Sequence, residues 1–283
     1  MSSTGNTDQA AFWNEEAGPR WVAAQERMDA IMAPLTEAAL DLAAPRPGER
    51  VLDIGCGCGA TVLALAAGVG ASGSVLGVDI SRPMLARAGE RVAALGLGQA
   101  QLQLADAATH DFAPASADLV FSRFGVMFFD DPVAAFANLR AALAPGGRLF
   151  FVCWQQLADN PWFLVPLSAA RAHLPPQPPA DPDAPGPFAF ADPERVRRIL
   201  GSAGFGVVRI EPHETAMRLG GADELESVAD RAVELGPVHR LLAGVQEDVR
   251  ATVRVAIRDA LAAHVQPEGI TLAGRVWFVA ANA

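Results

Sequence analysis

Val51-Leu52-Asp53-Ile54-Gly55-Cys56-Gly57-Cys58-Gly59 decides how this chain is read. An apolar strand runs into an acid and then into a loop with glycine at every second position. Helical, alanine-rich sequence follows in Thr61-Val62-Leu63-Ala64-Leu65-Ala66-Ala67. Such glycines leave the backbone bare, so a ligand can lie where a Cβ would stand. A second strand, Ser74-Val75-Leu76-Gly77-Val78, ends in Asp79, about twenty residues past the loop, as in nucleoside-binding βαβ units. The two oxygens of one carboxylate match the two hydroxyls of a ribose. The pattern implies a nucleoside-containing cofactor.

Two cofactors satisfy it. For a dinucleotide, Gly55, Gly57 and Ala60 meet the relaxed G-x-G-x-x-G/A pattern, with Asp79 at the ribose position. For S-adenosylmethionine, Asp53 precedes the first glycine, where a carboxylate suits the cationic end of a methionine moiety and would repel a pyrophosphate. A third strand, Gln101-Leu102-Gln103-Leu104, ends in Ala105-Asp106-Ala107, which puts another carboxylate near an adenine amino group. The fourth strand ends in Ser122-Arg123-Phe124-Gly125, and Pro145-Gly146-Gly147 turns into the fifth.

From Val51 to Trp154 the chain resembles class I S-adenosylmethionine-dependent methyltransferases, in particular the small-molecule branch with the ubiquinone/menaquinone-biosynthesis C-methyltransferases. The matching segments are Val51–Gly59, Gly77–Ser81, Ala105–Ala107, Ala117–Ser122 and Leu143–Leu149. The resemblance implies S-adenosyl-L-methionine as cofactor and S-adenosyl-L-homocysteine as product. It implies a cofactor site drawn from Trp21, Asp53, Gly55, Cys56, Gly57, Gly59, Asp79, Ile80, Asp106, Ala107 and Ser122. The alternatives are a nicotinamide-dependent oxidoreductase and a non-catalytic S-adenosylmethionine-binding module.

Composition narrows the partners. The apolar fraction is 51%, enough for a large core. A net charge of −10 without a Lys/Arg cluster disfavours nucleic acid and anionic membranes. Cys56, Cys58 and Cys153 are an odd set inside strands and a ligand loop, which points to reduced thiols and a cytoplasmic location. No ligand set for a metal accompanies Cys56-x-Cys58. The polar N-terminus lacks the basic and apolar regions of a signal peptide. The expected partner is a small molecule, and the expected state a monomer or homodimer.

The expected fold is α/β: a Rossmann-like, doubly wound, seven-stranded and mostly parallel sheet under a helical cap. Residues 1–10 are expected to be disordered, and 11–43 to form N-terminal cap helices. The cofactor domain spans 44–221 and 270–283, and 222–269 form a helical insertion between strands six and seven. Strand six is read at Val207–Ile210 and strand seven at Arg275–Ala280, and 174–187 as a polyproline-like crossing.

Methyl transfer needs alignment and exclusion of water more than a particular side chain. A base is needed only where the acceptor must lose a proton. Arg123, after strand four, either orients substrate or pairs with a nearby acid. The quinone-pathway enzymes carry an arginine in that segment. His213, past strand six, is the candidate proton acceptor, with His173 and His239 as others. Tyrosine is absent from the chain. The aromatic residues around strands four and five, among them Phe124, Phe128, Trp154 and Trp162, suit an apolar or aromatic acceptor.

Overall fold

The computed structural model describes residues 7–177, 181–234 and 236–283. Helix α1 (Thr7–Ala11) passes through a π-helical turn at Phe12–Glu16 into α2 (Ala17–Ala23), and α3 (Gln25–Ala43) follows. Residues 7–10, expected to be disordered, are therefore helical; 1–6 lie outside the described residues, as do 178–180 of the proline-rich crossing.

The glycine loop follows β1 (Arg50–Ile54), and α4 (Ala60–Val69) starts at its end. The chain then alternates β2 (Ser74–Asp79), α5 (Arg82–Ala94), β3 (Ala100–Leu104), β4 (Ala117–Arg123), α6 (Pro132–Ala142) and β5 (Leu143–Trp154). The start of α6 is written in its sequence. Asp131 Oδ1 accepts from Ala134 N at 3.0 Å, and Pro132 takes the first turn, where its missing N–H costs nothing. Asp192 caps α8 (Pro193–Ser202) in the same way, after α7 (Pro161–Arg171).

Strands β1 to β5 pair in parallel. Both β6 (Val208–Gly220) and β5 pair antiparallel with β8 (Gly269–Asn282), giving the order β3-β2-β1-β4-β5-β8-β6. A two-residue β7 (Val265–Gln266) also pairs with β8, so the seven expected strands become eight. Strand order reverses between β1 and β4, so their carboxyl ends open a crevice. Strand β6 is much longer than the sequence reading allowed. Pro212 looks like a stop, yet β6 is the sheet's edge strand, where a missing ladder donor is tolerated.

Between β6 and β8 lie α9 (Leu225–Ala232), α10 (Gly236–Leu241) and α11 (Glu247–Ala262). Their apolar stripe builds a core separate from that of the sheet. Val228, Val253, Ile257 and Leu261 pack with Leu167 of α7 and Leu272 of β8. The stripe is thus buried mainly against α7 and the start of β8. Leu235 of that stripe lies outside the described residues.

Candidate active site

The glycine loop is shaped first by its own neighbours. Gly55 has φ +67°, and a Cβ on it would stand 2.5 Å from Gly125 Cα. The turn after β1 therefore crosses the turn after β4 backbone against backbone. A Cβ on Gly59 (φ +85°) would stand 2.9 Å from Ala88 Cβ of α5. These two glycines answer to packing, whereas Gly57 borders open space, with only Met84 Cε at 3.0 Å from the built Cβ.

Gly57 N donates to Asp79 Oδ2 at 2.7 Å, and Ser81 N donates to Asp79 Oδ1 at 2.8 Å. Burial raises the Asp79 carboxyl above its usual value, and these backbone donors oppose that rise. Each oxygen keeps a further lone pair for a hydroxyl. Asp106 Oδ1 accepts from Ala108 N at 2.9 Å.

Asp53 is fully buried. Its Oδ2 accepts from Thr61 Oγ1 at 2.5 Å, and its Oδ1 has no partner among the described residues. Burial pushes its carboxyl up to about 7; Thr61 and the charge of Arg123 pull it down, and Asp79 adds to the rise. An acid held this way responds to a nearby cation.

A cavity of about 780 Å³ lies over the carboxyl ends of β1, β2 and β4. That is within the range of roughly 300–1,000 Å³ typical of small-molecule sites. Its walls include Gly55, Cys56, Gly57, Asp79, Ile80, Asp106 and Ala107 on one side. Trp21, Phe124, Phe128, Trp154 and Trp162 line the other. Phe124 has φ +69°, an uncommon backbone state for a bulky residue, and its ring stacks on Trp154 at 4.3 Å. The Cys58 thiol is pushed up to about 11 by burial, and no cluster of three metal-ligating side chains occurs among the described residues.

Four of the expected site residues do not line this cavity. Asp53 sits behind its wall, with Thr61 in front. Gly59 faces Ala88. Ser122 Oγ donates to Ile54 O at 2.7 Å and accepts from Gly125 N at 3.2 Å, tying β4 to β1. His213 is level with Trp154 through Val276, but it belongs to the edge strand, and its ring stacks on Phe278 at 4.6 Å. Desolvation lowers its pKa, which makes it a weaker proton acceptor. Exposed His173 also lies off the cavity, whereas His239 of α10 lines it, with Nε2 against Arg20 Nη1 and 3.3 Å from Glu16 Oε1.

Arg123 does line the cavity. Its Nη1 donates to Thr36 Oγ1 of α3 at 2.5 Å, and it makes no ion pair among the described residues. Pairing with a nearby acid, one of the two readings of this residue, is not found among the described residues. Sequence reasoning missed Asn14, whose Nδ2 donates to Ile80 O at 3.0 Å and whose Oδ1 accepts from Arg82 N at 2.9 Å. It also missed Thr61, Arg231 and Arg240. No regular spacing marks any of them: Asn14 and Arg240 meet partners far along the chain, and Thr61 and Arg231 bond across irregular gaps of eight and twelve residues.

Residues 51–147 match the model of a methyltransferase domain. The chain is 30% identical to the nocamycin O-methyltransferase of Saccharothrix syringae, over 87% of this chain and 89% of that protein. It is 36% identical to the demethylmenaquinone methyltransferase of Bacillus cytotoxicus, over 37% of this chain and 44% of that one. The likeness to quinone-pathway enzymes thus stays within the cofactor half. Among solved structures, phosphoethanolamine N-methyltransferase 2 of Haemonchus contortus, in complex with S-adenosyl-L-methionine, superposes with a TM-score of 0.53. It is 21% identical and covers 88% of this chain and 52% of that one, which speaks to the fold alone.

Proposed function

The chain belongs to the class I S-adenosylmethionine-dependent methyltransferases, and from that premise we propose that it methylates an oxygen of a small, largely apolar molecule. One observation carries this reading: a single cavity joins the Gly57–Asp79 wall to the wall of Trp21, Phe124, Phe128, Trp154 and Trp162. Similarity to an O-methyltransferase over 87% of this chain supports oxygen as the acceptor atom.

The residues fit the cofactor. Asp79 has lone pairs left for ribose hydroxyls, Gly57 leaves room beside them, and Asp106 on the same cavity is available to an adenine amino group. The unpartnered Asp53 Oδ1 supplies negative potential from behind the wall. S-adenosylmethionine supplies, when bound, a methyl group already activated by a cationic sulfonium. The chain's own work is then alignment and dryness. Phe124 and Trp154 present a rigid aromatic face to the acceptor, and Arg123 orients its polar end. The N-terminal segment 11–43 and the insertion 222–269 cap a domain made of 44–221 and 270–283. No described helix is long and apolar enough to cross a membrane.

Calorimetry with S-adenosylhomocysteine and with NAD tests the cofactor, and transfer of labelled methyl to hydroxylated aromatic acceptors tests the reaction. S-adenosylhomocysteine is expected to bind and NAD to give no heat. Binding of NAD alone would overturn the reading.

A further inference from the structure

Three arginines of the described chain are pulled below the usual guanidinium range by burial: Arg123, Arg231 and Arg240. All three line the same cavity. In a chain of net charge −10, none of them makes an ion pair among the described residues. Arg123 gives one N–H to Thr36 Oγ1, and Arg231 Nη2 gives one to Leu219 O at 3.2 Å. Arg240 has its guanidinium carbon 5.2 Å from the centre of the Phe12 ring. A guanidinium carries five N–H donors, so most of these have no protein acceptor.

Acids within wider electrostatic reach are mostly engaged elsewhere. Asp29 pairs with Arg91 at 2.7 Å and Asp230 with Arg254. Asp53 is held by Thr61, and Glu224 Oε2 accepts from Gly221 N at 2.6 Å. Glu16 lies between Arg20 and His239. Glu234 is exposed, and Arg27 adds repulsion at Arg231. Arg123 and Arg231 are half-buried and Arg240 is exposed; a partly desolvated cation without a counter-ion is costly, and an incoming anion removes that cost.

The cavity's supply of neutral bases points the same way. The chain has no tyrosine. His239, the one histidine among the lining residues, has its Nε2 against Arg20. An acceptor that is already ionised needs neither.

We propose that the acceptor is a small, mostly apolar carboxylic acid, held as its carboxylate by Arg123, Arg231 and Arg240 and methylated on a carboxylate oxygen. This rests on the methyltransferase reading and names its substrate class. An oxygen lone pair forms the new O–C bond as the C–S bond breaks and its electron pair stays on sulfur. Carboxylate and sulfonium become a neutral ester and a neutral thioether, and no proton moves.

The test uses the full chain saturated with S-adenosylhomocysteine and three matched probes: 2-naphthoate, 2-naphthamide and 2-naphthol. Calorimetry is expected to show 2-naphthoate binding about tenfold or more tighter than the amide. Arg231→Gln and Arg240→Gln should each remove most of that difference while leaving S-adenosylhomocysteine affinity within about twofold; that affinity also reports folding. With methyl-labelled cofactor, label should pass to 2-naphthoate and return as volatile methanol after alkali, the signature of an ester. Equal binding of acid and amide, no binding of either, or alkali-stable label on 2-naphthol overturns the proposal while the methyltransferase reading stands. Failure to bind S-adenosylhomocysteine at the outset overturns that reading itself.

Discussion

Asp53 is a carboxylic acid displaced far from its free form. Its folded carboxyl titrates near 7 against 3.8 as the ordinary value. Below pH ~4 both folded and unfolded chains hold the proton. Between about 4 and 7 only the folded chain does, so stability without cofactor falls as pH rises through that window, by at most about 4 kcal/mol. Thermal melts of the wild type should decline from pH 5 to 8, and those of Asp53→Asn should decline less. An equal slope in both would assign the pH dependence to other groups. Asp79 plays a different part, because it reaches the cavity. Asp79→Ala should weaken S-adenosylhomocysteine binding by about 1.5–3 kcal/mol, the worth of hydrogen bonds to a charged group, with the circular dichroism spectrum unchanged. Calorimetry reads the loss directly, and an unchanged dissociation constant would show that another side chain holds the ribose.

At the level of elements, two joints hold the site together. One is the crossing of the β1 and β4 turns at Gly55 and Gly125. Gly55→Ala adds a Cβ at 2.5 Å from Gly125 Cα, at a backbone angle that L-residues rarely adopt. The angle alone costs of order 1–3 kcal/mol, so the variant should melt well below wild type and lose cofactor binding. The other joint is the second core. Ile257 of α11 is fully buried between α7 and α9. Ile257→Ala should cost about 2–5 kcal/mol by leaving a cavity. The loss should appear as faster hydrogen exchange in α9, α11 and α7, with the glycine-loop domain retaining its protection. Uniform loosening of the sheet would mean that the insertion is no separate cooperative unit.

The whole molecule closes its cavity with segments far apart in sequence. The N-terminal segment reaches the cofactor wall through Asn14 and through Ser81 Oγ, which donates to Trp13 O at 2.8 Å. It reaches the insertion through Arg20 and Glu16 at His239, and through Phe12 beneath Arg240. The contacts with the insertion are polar or cation–π and partly exposed, which suits a cap that opens and shuts. Hydrogen exchange should show α2 and α10 gaining protection together when S-adenosylhomocysteine and an acceptor are both present. Protection limited to the glycine loop and Asp79 would make the cap a static element.

The sequence by itself determined the cofactor half. Glycine spacing, acids at strand ends and Asp-Pro helix starts act over a few residues, so Val51–Gly59, Asp79, Asp106 and the beginning of α6 were legible without a structure. Only the tertiary structure decided which of those residues face a ligand. Asp53, Gly59 and Ser122 carry the right chemistry, yet they are turned toward Thr61, Ala88 and Ile54, because strand pleat and turn crossings assign direction. It also decided the acceptor side. The run of β6 through Pro212 depends on its being an edge strand. The placing of Arg123, Arg231 and Arg240 on the wall of one cavity depends on how β4, α9 and α10 pack. Contacts between positions more than a hundred residues apart leave no periodic trace in a single chain, and there the physics becomes visible only when the elements are packed.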